Sequence, residues 1–121
     1  MTTFDAERVA LEMIAALRKP LERLERRNRQ HAAQAREAAS SVPHNLSEGR
    51  RRRGRDRLYH WSVAAGSAGE LRNNLAVAVA WGWLTDEELL IGRSLLDRVL
   101  AMTWRMLHPR RRPDAAAPVR G

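Results

Sequence analysis

No cysteine occurs anywhere in this chain, which excludes disulfides, thiolate metal sites and cysteine nucleophiles together. Aromatic residues are scarce apart from tryptophan, with one Tyr and one Phe against four Trp, and threonine and isoleucine are few. A sheet is therefore not expected. Long apolar runs are missing as well: no stretch reaches the roughly 18 uninterrupted apolar residues of a membrane span. The opening segment Met1–Arg8 carries acids and no apolar core, so neither a secretory leader nor a transmembrane anchor is expected there and a cytoplasmic location is. Glycine and proline sit mostly at points of punctuation.

What remains is rich in Ala, Leu, Arg and Glu, a helix-forming mixture. The 121 residues suit one domain that buries roughly two-thirds of its unfolded surface. The formal charge is +8, nearly all of it arginine, and it invites a partner carrying phosphate or acidic groups. Arginine that merely covers solvated helix faces is the competing explanation.

Hydrophobic periodicity divides the chain into four helices at about 5–25, 28–48, 56–81 and 85–107, followed by a disordered basic tail over 109–121. In the first, Ala10, Ile14, Leu17, Leu21 and Leu24 draw one stripe, capped by Asp5 or Thr3. The stripe keeps its phase across Pro20, which predicts a helix continuing past the proline; the alternative ends it at Lys19. Asn28 caps the second helix, whose inner face of Ala32, Ala35, Ala39, Val42 and Leu46 is small enough for close helix packing. Pro43 inside it costs about 3 kcal/mol. Gly49 reads as the terminator and 50–55 as a connection, with Asp56 capping the third helix. That helix buries Trp61, Ala64, Ala68, Leu71, Leu75 and Ala78, and its Gly66 and Gly69 are expected to admit a neighbouring helix or subunit. Gly82 closes it. Thr85 and Glu88 have capping-box spacing, and the last helix turns Leu89, Leu96, Val99, Thr103 and Met106 inward, ending before Pro109. Three short connections make an all-α, up-down-up-down four-helix bundle.

Arg50, Arg51, Arg52, Arg53, Arg55 and Arg57 place six guanidinium groups in eight residues beside one acid, Asp56. Mutual repulsion disfavours such density unless anions are near, and phosphate is the matching partner through bidentate contacts; a solvated loop is the rival reading. His44 and Glu48 share a helix face, but two ligands do not make a metal site, and no histidine follows a Glu by three positions as in bundle di-iron sites. Asn45 is expected to satisfy backbone groups freed by Pro43, and Glu48 to pair with an arginine. The four tryptophans are expected in the core or at a subunit interface, with base stacking the lesser alternative. Without a nucleophile–base pair, phosphate loop or paired carboxylates, neither an enzyme nor a cofactor is expected.

The run from Ser41 through Pro43, His44 and Asn45 to Glu48-Gly49-Arg50, then Ala64-Ala65-Gly66-Ser67 with Glu70-Leu71, then Trp81-Gly82-Trp83-Leu84, resembles a family of small bacterial four-helix bundle proteins. It includes those encoded in intervening sequences of 23S ribosomal RNA genes and the accessory protein of diversity-generating retroelements. The resemblance spans roughly residues 5 to 107. It implies a homo-oligomer, typically a pentameric ring with a central channel, in which Pro43, Asn45, Glu48, Gly49, Gly66 and Ser67 form the shared motif. For retroelement members it implies a basic surface that binds RNA or DNA and a reverse transcriptase. This chain departs from the family pattern at Tyr59-His60-Trp61, at Trp83 where tyrosine is usual, and in the arginine-rich segment after Gly49. Two other roles compete with nucleic-acid binding: a structural or adaptor bundle holding a protein partner, and peripheral attachment of the basic tail to anionic membrane.

Overall fold

The computed structural model describes residues 2–109. They form four α-helices, α1 (Thr3–Arg27), α2 (Arg29–Arg50), α3 (Gly54–Ala80) and α4 (Leu90–Leu107), and no strand occurs among the described residues. The basic tail expected over 109–121 lies, from residue 110 onward, outside them.

α1 starts on Thr2 rather than on Thr3 or Asp5. The Thr2 hydroxyl accepts from the Asp5 N–H at 3.2 Å while the Asp5 carboxylate accepts from the Thr2 N–H at 3.1 Å, a reciprocal box that satisfies two otherwise orphaned donors. The helix runs through Pro20, which is buried within it. A single residue, Asn28, then serves both helices: its N–H donates to the Leu24 carbonyl to close α1, and its side-chain oxygen accepts from the His31 N–H at 2.9 Å to open α2.

Contacts at the helix ends fix the directions. The end of α2 meets the start of α1 through Arg50 and Glu7, the start of α2 meets late α3 through His31 and Asn74, and the end of α1 meets the entry to α4 through Arg23 and Glu88. Neighbours are thus antiparallel. α1 packs on α2 and α4, and α3 on α2 and α4, which closes the square.

Inside that square the small face of α2 is buried throughout, and α1 and α3 bring leucines against it. Two glycines set how close the helices come, and neither is Gly66 or Gly69. A Cβ on Gly49 would lie 2.4 Å from Trp61 Cδ1, and one on Gly92 would lie 2.4 Å from Leu17 Cδ2; at Gly66 and Gly69 it would meet nothing within 4 Å. The expectation that Gly66 and Gly69 admit a helix of the same chain is thus corrected. Gly49 is also not the terminator of α2. It sits inside the helix, which runs one residue further, because its missing side chain is the space the Trp61 indole fills.

The turn glycine of that connection is Gly54, at φ 57°. α3 has Arg53 at its N-cap with no side-chain hydrogen bond, so Asp56 does not cap it; the acid lies instead in the first helical turn, where its charge complements the helix dipole. At the far end Gly82, at φ 79°, closes α3 by donating to the Val79 carbonyl while Trp83 donates to that of Ala78, the paired bonds of a Schellman ending. Thr85 and Glu88 do form the reciprocal box. It opens a tight turn bonded Leu89 to Asp86 and Leu90 to Glu87, however, and α4 proper begins only at Leu90.

Candidate nucleic-acid interface

The α2–α3 connection gathers the six arginines at one end of the bundle, but it does not leave them equivalent. Arg50 reaches across to α1, its Nε 2.6 Å from Glu7 Oε2. Arg51 and Arg52 both turn back onto Glu48, Arg52 at 3.1 Å. Those two hydrogen bonds, Arg51 first, hold the Glu48 carboxyl below its ordinary value and outweigh the opposing effect of burial. Glu48 therefore pairs with two arginines rather than one.

Arg57 does something different. From the first turns of α3 its Nε donates to the Gly49 carbonyl at 3.0 Å and its Nη2 to the Arg50 carbonyl at 3.1 Å. These belong to the last turn of α2, where carbonyls lack helical partners and carry the negative end of the dipole. The same guanidinium lies 5.4 Å from the centre of the Trp61 ring. One cation thus ties the end of α2 to the start of α3, over the tryptophan that Gly49 admits.

Arg53 and Arg55 remain. Both are exposed, and neither guanidinium has a hydrogen-bond or ion-pair partner among the described residues. Six cations resolve into four that hold the corner together and two whose full donor sets face solvent. The sequence could have shown part of this, since Glu48 stands three and four positions before Arg51 and Arg52. The use of Arg57 as a helix-end donor depends on tertiary geometry.

Behind the corner, the other motif residues form a chain of side chains between α2 and α3. Asn45 Nδ2 donates to the Ser41 carbonyl at 2.9 Å and to its Oγ at 3.0 Å, His60 Nδ1 lies 2.9 Å from Asn45 Oδ1, and Ser67 Oγ donates to Ser41 Oγ at 2.7 Å. With its amide nitrogen committed to a carbonyl, Asn45 offers oxygen to His60, so the imidazole carries its proton on Nδ1. Asn45 does not reach the carbonyl that Pro43 frees, which belongs to Ala39; it doubles the hydrogen bonding at Ser41 instead. Gly66 is on the exposed side of α3, next to this chain but outside it.

A groove of about 580 Å³ between α2 and α3 is lined by Gln34, Glu37, Ala38, Ser41, Ser67 and Glu70. Its carboxylates repel phosphate, which leaves the corner as the anion-facing part of this surface. His44 and Glu48 gain no third ligand: no cluster of three or more metal-binding side chains occurs among the described residues. No described helix is long and apolar enough to cross a membrane.

Of the tryptophans, Trp61 and Trp83 are partly buried against the core. Trp81 and Trp104 are exposed, at 68% and 60%, contrary to a core assignment.

A family model described as 23S rRNA-intervening sequence protein matches residues 5–105. No curated protein and no solved structure matches the chain.

Proposed function

Because the chain belongs to the family of 23S rRNA-intervening sequence proteins, we propose that it is a non-enzymatic accessory protein of the cytoplasm that self-associates and binds the phosphate backbone of nucleic acid without reading its sequence. The observation that carries this is the state of Arg53 and Arg55. Four neighbouring arginines are consumed by Glu7, Glu48 and two helix-end carbonyls, and the corner they stiffen presents the remaining two to solvent. With no ion pair to give up, their planar guanidinium forks can meet a phosphate without breaking an existing contact. In a homo-oligomer, every subunit repeats the pair.

Self-association is supported by exposed apolar side chains on several helices, Phe4, Leu11, Leu58, Leu90 and Ile91 among them. The same side chains favour the second reading, an adaptor for a different protein. Sedimentation velocity of the purified chain separates the two: a single discrete oligomer favours self-assembly, a monomer the adaptor.

The test of the nucleic-acid reading is a salt titration of binding to structured RNA, single-stranded DNA and duplex DNA, with wild type and the double variant Arg53→Gln/Arg55→Gln. Log affinity should fall linearly with log salt, and losing two phosphate contacts should make the slope shallower by about 1.4 to 1.8 per subunit engaged. Absence of binding at low salt, or an unchanged slope in the variant, refutes the reading.

A further inference from the structure

At the opposite end of the bundle the Schellman ending of α3 does more than stop a helix. It places Trp81 and Trp83 on either side of Gly82, and their rings stack with centroids 5.8 Å apart and planes 18° from parallel. Trp83 is braced. His31 packs edge-on against it at 5.4 Å and is itself fixed by Nε2 on the Asn74 carbonyl at 2.8 Å; Arg27 Nη1 donates to the Trp83 carbonyl at 2.9 Å. Trp81 lies on this support, with two-thirds of its surface in solvent. Apart from that stacking, most of the indole's area finds no contact within the chain, and what it offers is a flat, preoriented π-face.

Charge surrounds it. Arg26, Arg27 and Arg29 are exposed at the one-residue corner between α1 and α2, whose Arg27 touches the Trp83 backbone. Among the acids at this end, Glu25 is paired with Arg36 at 2.7 Å, Asp86 with Arg93 at 2.5 Å and Glu88 with Arg23 at 3.0 Å. Glu22 and Glu87 are left to oppose the three corner arginines.

We propose that this end of the bundle is a second nucleic-acid contact, at which an unpaired base of a single strand stacks on the open face of Trp81 while the α1–α2 corner holds the adjoining phosphates. The inference rests on the nucleic-acid reading above and narrows it to strands with accessible bases. A base in a duplex keeps both faces covered by its neighbours and cannot use the platform, whereas base–aromatic stacking is indifferent to sequence and is available to any single strand.

The experiment uses the full chain and two probes, a short labelled single-stranded RNA and a base-free strand of the same length and charge. Anisotropy is read for wild type, Trp81→Leu and Trp81→Phe, with sedimentation velocity on each. Wild type should prefer the RNA, Trp81→Leu should weaken it about tenfold with the salt slope and the base-free affinity unchanged, and Trp81→Phe should recover most of the loss. If wild type binds both probes equally, or Trp81→Leu binds RNA like wild type, the stacking site is refuted while the phosphate reading stands. If wild type binds neither probe but binds duplex DNA at low salt, the stacking site alone is refuted; if it binds none of them, both readings fail. If Trp81→Leu changes the oligomeric state, Trp81 is a contact between copies, and the proposal is overturned.

Discussion

Replacing Gly49 with alanine adds one methyl group to the interior of α2, and the space for it is already taken. The new Cβ would stand 2.4 Å from Trp61 Cδ1, 2.5 Å from its Nε1 and 3.2 Å from the Arg57 carbonyl oxygen. The first two atoms belong to a rigid ring, so relief requires moving the whole indole, and with it the packing of Arg57 over that ring. Overpacking of this kind costs about 1–3 kcal/mol, and the ring makes the upper part of that range appropriate. Against it, alanine gains about 1 kcal/mol of helix propensity over glycine. The net loss is about 2 kcal/mol, which lowers the melting temperature of a domain this size by about 6–10 °C. Thermal and urea unfolding of Gly49→Ala beside wild type measure it. The double variant Gly49→Ala/Trp61→Phe should recover part of the loss, because the smaller ring vacates the contested space. Melting at or above the wild-type temperature would refute the assignment of Gly49 as a close-approach residue and restore its reading as a helix terminator.

Glu48 has a folded-state pKa below its unfolded value, so the stability it contributes is complete above the ordinary value of 4.5 and is lost as pH falls through the depressed one; Glu48→Gln should flatten the acid limb of a plot of melting temperature against pH, and a limb of unchanged steepness counts against the pairing. Asn45→Ala strips the Ser41 hydroxyl and His60 of a partner and should cost about 1–3 kcal/mol in urea unfolding, whereas an unmoved midpoint would mean that water replaces the amide. Gly66→Ala meets no atom of its own chain and should stabilise the isolated subunit by up to about 1 kcal/mol; dissociation of an oligomer at unchanged subunit stability would instead show the bare α3 surface packed against another copy.

The helices and their inward stripes were legible in the sequence because a three-four spacing survives any detail of packing: Leu17, Leu21 and Leu24 keep phase across Pro20 and are all buried. The glycines depart from their expected roles for a physical reason. Gly49, between Glu48 and a run of arginines, has the local surroundings of a terminator, and only the approach of an indole from α3, contributed twelve residues later, makes it an interior residue. Gly92 carries no local signal at all, since its neighbour Leu17 lies on α1. At the candidate site, the concentration of charge was visible but its division was not. Pairing of Glu48 with Arg51 and Arg52 follows from helical spacing, while the bonds of Arg57 to α2 and of Arg50 to Glu7 depend on which helix ends meet. Composition therefore located the corner, and tertiary structure decided that Arg53 and Arg55 are the arginines left over.

The connections of the bundle are very unequal: one residue between α1 and α2, three between α2 and α3, and nine between α3 and α4. For protein engineering this ranks the places where foreign sequence can be carried. Asn28 closes one helix and opens the next with separate groups of a single residue, so an insertion there separates two caps that need each other. The 51–53 connection is spanned by Arg57 and would lose its clasp. The 81–89 segment has the most backbone to absorb added length, but Arg27 of α1 holds its Trp83 carbonyl, and Leu84 and Leu89 are buried. A fluorophore site or an inserted tag therefore belongs at its exposed 85–87 stretch, where it costs the Thr85–Glu88 box rather than a core contact.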